Sequence, residues 1–340
     1  MDGWNRRRLL AAFAASALSA CGESSRDTAA SGGLITIASN PTGTNVYAVA
    51  AAIAKLIQEQ GGRRATIRPF SGSSVYLPML ERGEVALGLN TSIDSYLSFR
   101  GLPPYSAPMR NLRALGMMFP LNIAFMARAD AGLQGIEDLR GRRVVVTFRA
   151  NAALEQLHRG ILATGALSFD DIEAVTVAGV PEAVTALQEG RADAVPIGLG
   201  TALGLQAHAA LPAGIRYLTL GADETRLAEI MPGTRIITVT PGPNQVGVPM
   251  PIRVSSVPDM LNTGTHLSED DAYTIISTLH ANWHQLRAEL SQLALQDAAE
   301  LAPVDTLHPY HPGAVRYFRE AGLWTAAHEA NQRALLELAL

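Results

Sequence analysis

Lysine is almost missing from this chain, with Lys55 the single one among 27 basic residues. A P-loop needs a lysine after its second glycine, and the stretch before Lys55 is helix-like rather than glycine-rich. Schiff-base chemistry has the same single residue to draw on. Cysteine is equally scarce, and Cys21 alone excludes an intrachain disulfide, a CxxC redox pair and a thiolate zinc site. Charge is sparse at 17%, the formal net charge is −4, and no dense Lys/Arg block lies beyond the extreme N-terminus. A nucleic-acid partner needs a basic stripe, so none is expected. No Gly-x-Ser-x-Gly occurs, which removes the nucleophile elbow of one large hydrolase class. What is present is 340 residues at 48% hydrophobic, a globular balance with room for two cores at roughly 150 residues per domain.

The lone cysteine occupies an informative place. Arg6, Arg7 and Arg8 precede an apolar run, Leu9 to Ala20, that ends in Leu18-Ser19-Ala20-Cys21. Basic, apolar and small-residue segments in that order make a signal peptide over 1–20, too short to span a bilayer, which takes about 20 apolar residues. Leu-Ser-Ala-Cys resembles the bacterial lipobox, whose cysteine is acylated and becomes the first mature residue. Cys21 is therefore the expected lipidation site, 21–33 a flexible Ser/Ala/Gly tether, and the folded part extracytoplasmic and membrane-anchored. Loss of Asp2 and Arg6 to Arg8 leaves 24 basic and 30 acidic side chains, a net charge of −6. The Arg6-Arg7 pair carries only a fragment of a twin-arginine signal.

From Leu34 onward, strand-like runs alternate with helix-period segments. Strands are predicted at Leu34–Ala38, Ala65–Phe70, Val85–Leu89, Leu112–Met118, Ile123–Ala127, Arg143–Thr147, Ala174–Val177, Ala194–Ile197 and Arg216–Leu220. Helical patterns lie between them, at Val46–Gln58, Val75–Arg82, Ala152–Ala163, Pro181–Glu189 and Ala202–Ala210. Alternation of this kind predicts an α/β fold of mainly parallel sheets flanked by helices. Phe119-Pro120-Leu121-Asn122 and the Pro/Gly-dense region 232–251 offer a seam. Lobe one then comprises 34–119 and 241–340, lobe two 120–240, with an interlobe hinge and C-terminal helices. Ser268 caps a helix expected to run to Leu295.

Catalytic constellations are weak. His280 and His284 share a helix face at i and i+4, but Ala281 stands where a zincin has its glutamate. His308 and His311 sit in a Pro-rich turn that reads as structural. Gly198-Leu199-Gly200 lacks the third glycine of a dinucleotide fingerprint. No metal and no cofactor is expected. What stands out is a set of hydroxyl- and glycine-rich loops, each following a predicted strand: Asn40–Asn45, Ser71–Ser74, Asn90–Ser92 and Thr147–Asn151. Ligands bind open α/β sheets beyond the carboxyl ends of strands, and free amides there suit a carboxylate. The plainer reading is that these side chains cap helices.

These loops and the C-terminus resemble the TAXI-type solute-binding subunits of tripartite (TRAP) transporters, a periplasmic-binding-protein fold of two lobes. His311-Pro312-Gly313-Ala314 with Tyr317-Phe318, Glu320 and Gly322 matches that family's terminal pattern most specifically. Thr42-Gly43-Thr44-Asn45-Val46-Tyr47, Asp138-Leu139-Arg140-Gly141-Arg142-Arg143-Val144 and Gly190-Arg191-Ala192-Asp193-Ala194 resemble three further segments. The resemblance implies a non-enzymatic binding protein that captures a small, carboxylate-bearing solute between the lobes and delivers it to TRAP membrane permease subunits. An ABC-type or sensor-coupled binding protein, or an enzyme on the same fold, are the alternatives. The expected contacts are Thr44, Asn45, Tyr47, Ser73, Ser74, Tyr76, Asn90 and Thr91 from lobe one, and Thr147, Arg149 and Asn151 from lobe two. Asn90-Thr91-Ser92, Tyr76 and Arg149-Ala150-Asn151 depart from the family pattern. Arg149 suggests a bidentate partner for an oxyanion, with an Arg in solvent at a lobe edge as the alternative.

Overall fold

The Thr44 hydroxyl accepts the amide of Tyr47 at 3.2 Å and so converts the end of an extended segment into a helix. That step, from strand to hydroxyl cap to helix, recurs along the computed structural model, which describes residues 33–242, 245–294 and 296–339. The predicted signal peptide, Cys21 and nearly all of the tether lie outside the described residues. The elements run β1 (Ile35–Ser39), α1 (Asn45–Glu59), β2 (Ala65–Pro69), α2 (Ser73–Glu81), β3 (Leu87–Thr91), α3 (Ser92–Arg100) and the long β4 (Leu112–Arg128). Next come β5 (Arg143–Phe148), α4 (Leu154–Thr164), β6 (Glu173–Val177), α5 (Val180–Gln188), β7 (Ala194–Gly198) and α6 (Ala202–Ala210). They are followed by β8 (Ile215–Tyr217), α7 (Thr225–Ile230), β9 (Arg235–Val239), β10 (Ile252–Gly264), α8 (Glu269–Ala281), α9 (Trp283–Glu289), α10 (Pro312–Glu320) and α11 (Ala326–Glu337). Thr91, Thr201 and Ser268 cap α3, α6 and α8 as Thr44 caps α1.

The strands lie in the order β2-β1-β3-β10-β4-β7-β5-β6, with β8 on β4 and β9 on β10. The sets β2-β1-β3 and β7-β5-β6 are parallel, each flanked by helices, and are the two halves of a two-lobe α/β fold. Antiparallel β4 and β10 join them. The segments Leu112–Met118 and Ile123–Ala127, expected as separate strands, are one continuous strand, because Phe119 to Asn122 keep their register with Ser256 to Asp259 of β10. Pro120 lies opposite Pro258. Beyond this rung, β9 pairing ends at Ser256, β3 pairing begins at Asp259, and β7 joins β4 only from Ile123. Here the sheet narrows to two strands.

Two apolar clusters hold the lobes. One joins Leu157 and Ile161 of α4 to Val144 of β5 and Val195 of β7, and the other joins Ile53 and Ile57 of α1 to Ile276 of α8 and Phe318 of α10. Each such side chain contributes roughly 1.5–3 kcal/mol on burial. The helix expected to continue from Ser268 to Leu295 stops at Asn282. Its side-chain amide donates back to the Thr278 carbonyl at 2.9 Å, and just beyond it Trp283 is buried with its indole donating to the Gln296 carbonyl at 3.1 Å. Gly313 lets α10 approach α8, since a Cβ there would overlap the Glu269 carbonyl. No helix among the described residues is long and apolar enough to cross a membrane.

Candidate ligand cleft

The lobes touch along the loops that follow their parallel strands. Asn45 donates its amide to the Leu199 carbonyl at 3.2 Å, and the Leu203 amide reaches the Gly43 carbonyl at 3.3 Å. On the other side, Asn151 Nδ2 donates to Ser73 Oγ at 3.1 Å, and the Ala152 amide donates to Ser74 Oγ at 3.1 Å. Gly72 packs so closely on Ala150 and Asn151 that a Cβ would overlap both. The cleft is closed.

Between these contacts lies a cavity of about 50 Å³, room for a few water-sized groups. Asn40, Thr44, Asn45 and Val46 line it from lobe one, and Leu121 and Ile123 from β4. Phe148, Asn151, Leu154 and His158 face them from lobe two, with Val180 and the β7 end, Pro196 to Gly198 and Thr201. A larger hollow of about 550 Å³ lies by α10 and α11, but its two arginines are already paired, Arg316 with Asp270 at 2.9 Å and Arg319 with Glu329 at 2.6 Å. The interlobe cavity differs in kind. Buried polar atoms of its lining, Asn40 Oδ1, Asn151 Oδ1 and His158 Nε2, have no partner. Buried groups of that sort are costly unless something satisfies them.

His158 lies between the rings of Phe148 and Phe125, with centroids 5.4 and 6.0 Å away. Its Nδ1 is 2.7 Å from the Val146 carbonyl, which can only accept, so Nδ1 carries the proton and Nε2 offers a lone pair. Burial drives its pKa down to about 4, which keeps the ring neutral.

Of the residues expected in the cleft, Thr44, Asn45 and Asn151 line the cavity, and Ser73 and Ser74 hold the lobes closed beside it. The others lie elsewhere. Tyr47 is half-buried on α1 outside the lining, and Thr147 donates to Glu155 at 2.7 Å. Tyr76 is a core residue, fully buried, with its hydroxyl on the Leu89 carbonyl. Asn90 and Thr91 belong to a buried polar network behind the cleft. Asn90 donates to Ser95 Oγ at 2.9 Å and accepts from Asn262 at 3.0 Å, while the Thr91 hydroxyl donates to Asp94 at 2.8 Å. Arg149 is exposed and outside the lining, which holds no cation.

The model of the NMT1-like family matches residues 37–322, spanning both lobes and the cleft between them. The chain belongs to that family. Among solved structures it is similar to MatC from Rhodopseudomonas palustris with bound malate, at 12% identity over 90% of this chain and 99% of that one, TM-score 0.56. It is also similar to a structure described as a periplasmic transporter, at 11% identity over 88% and 95%, TM-score 0.53. A weaker likeness is to the periplasmic aliphatic sulphonate binding protein SsuA from Escherichia coli, at 16% identity over 91% and 87%, TM-score 0.47. At such identities the shared property is the fold.

In this NMT1-like chain His311, His308 and His280 bond within the fold. His311 caps α10, accepting the Gly313 amide at 3.2 Å, with Nε2 on the Leu267 carbonyl at 3.0 Å. His308 Nε2 meets Asn262 Oδ1 at 2.7 Å. His280 and His284 fall on α8 and α9 either side of the Asn282 break, and His280 bonds Tyr317 at 2.7 Å. Among the described residues no three His, Cys, Asp or Glu side chains are placed to hold a metal. Sequence reasoning missed His158 and the β7 loop as cavity walls. The available signal was an imidazole on the apolar stripe Leu154, Leu157, Ile161 of a helix just after β5.

Proposed function

We propose that this protein is the extracytoplasmic solute-binding component of a TRAP transporter of the TAXI type, capturing a small organic solute between its lobes and delivering it to membrane permease subunits. The observation that carries the reading is the closed interlobe cavity, lined from both lobes and bearing unpartnered buried polar atoms. The binding reading takes a lining of apolar side chains, hydroxyls, amides and one neutral imidazole. The NMT1-like membership and the resemblance of the His311–Gly322 segment support the transporter assignment. Acylation at Cys21 would hold the protein on the membrane, with 22–33 as tether.

In this reading the interlobe border follows the narrow rung of the sheet. Lobe one is 34–119 plus about 258–340, rather than from 241, because Ile252 to Ser256 pair with β9 of lobe two. Small-angle scattering of the chain from residue 33, with thermal denaturation across a solute library, tests the function. A solute that raises the melting temperature and favours the compact form is the expected result. A chain that no solute stabilises, and whose dimensions never change, would remove the binding reading.

A further inference from the structure

Resting on the proposed capture of a solute in the interlobe cavity, we propose that this solute is uncharged and binds as a hydrogen-bond donor through a hydroxyl or amide N–H, with an apolar flank against Phe148 and Leu154. The buried side-chain atoms of the lining that lack a partner are all acceptors. His158 Nε2 is an acceptor because Nδ1 is committed to the Val146 carbonyl at 2.7 Å. Asn151 Oδ1 is left over because a hydroxyl chain orients the amide. Ser73 and Tyr105 donate to Asp94 Oδ1 at 2.9 and 3.0 Å, so the Ser73 oxygen is free to accept, and it takes Asn151 Nδ2 at 3.1 Å. Asn40 Oδ1 is the third. His158 and Asn151 are both almost completely buried.

Charge decides between classes. The lining holds neither Arg nor Lys nor any carboxylate, so an ion of either sign would lose its hydration without a partner. The lone pairs of these side-chain acceptors would also repel a carboxylate's oxygens. A neutral donor satisfies them, and a site with buried acceptors rejects an analogue that cannot donate.

Matched probes separate these outcomes. Isobutyramide is set against isobutyrate, and 1,2-butanediol against 2-hydroxybutyrate, on the chain from residue 33 labelled with ¹⁵N-histidine. The expected result is that the amide and the diol raise the melting temperature and move the His158 Nε2 resonance upfield, with at least tenfold weaker binding in His158→Phe and in Asn151→Leu. The wild-type resonance reports even if a variant fails to fold. Stabilisation by the two carboxylates with no response to the neutral pair overturns the donor assignment and leaves solute capture standing. No response to either pair, with scattering unchanged, overturns both.

Discussion

Asn151 of lobe two donates to Ser73 of lobe one across 3.1 Å, and Ser73 passes the bond on to Asp94 at 2.9 Å. The closure contact is thus the outer end of a buried chain anchored at α3. Burial pushes the Asp94 carboxyl above its ordinary range, while hydroxyls of Thr91, Ser73 and Tyr105 work against that shift. Replacing Asn151 by Ala should leave the lobes folded and shift the equilibrium toward an open form. The loss of one such bond is worth about 1 kcal/mol, roughly fivefold in the closed-to-open ratio. A larger radius of gyration in solution scattering is the expected signature, and unchanged dimensions would show that the bond does not hold the lobes.

Gly72 offers a steric counterpart. Its backbone is extended, with φ 171°, so alanine is tolerated locally, yet the new methyl would meet the Ala150 carbonyl. Gly72→Ala should keep its helical circular dichroism, fail to reach the compact form, and bind any cleft solute at least tenfold more weakly. A variant that closes and binds like wild type would show that the loops can part without loss.

Acid should weaken the fold through its buried imidazoles. Burial lowers His158 and His311 to about 4 and His308 to about 3, against an ordinary 6.5. The unfolded chain therefore binds more protons between those values, and stability present above pH 6.5 falls as pH drops toward 4. Urea unfolding at pH 7 and pH 5 should show a loss of a few kcal/mol, at about 1.4 kcal/mol per pKa unit and group. Histidine resonances that titrate near 6.5 in the native protein would contradict it.

Asp259 works in the opposite direction. It is fully buried beside the narrow rung, neither carboxyl oxygen has a partner, and burial together with Asp94 raises its pKa well above 3.8. The native state then holds a proton that the unfolded chain releases, so this group costs stability as pH rises from about 3.8 through the folded value. Asp259→Asn should be at least as stable as wild type at pH 8 and show a flatter stability profile. A marked destabilisation of the variant at pH 8 would mean that the carboxylate is needed.

Much of the fold was legible because short β-branched runs and capped helices announce themselves locally. Ile35 to Ser39 followed by Thr44 spells a strand, a cap and a helix in ten residues. The crossing strand was read as two because Pro120 breaks a local pattern, whereas pairing with β10, 138 positions away at Pro258, keeps it whole. The site was less legible for the same reason. Which hydroxyls merely cap and which meet the opposite lobe depends on partners such as Ser73 and Asn151, 78 residues apart. Arg149 and Asn151 share a 3-10 turn, where successive residues point about 120° apart, so one faces in and the other out. Sequence marks the turn without saying which.

The two-strand rung at Pro120 and Pro258 gives the molecule its mechanical character. Proline has no amide hydrogen, so neither residue can donate to a ladder on either side. Wide, helix-covered sheet on both flanks resists bending, whereas a two-stranded ribbon twists readily. Compliance is therefore concentrated in one rung, and separating the lobes bends it while the parallel sets keep their hydrogen bonds. In the proposed capture of a solute, opening the cleft breaks the contacts across it, and the rung is where the sheet between the lobes is thinnest.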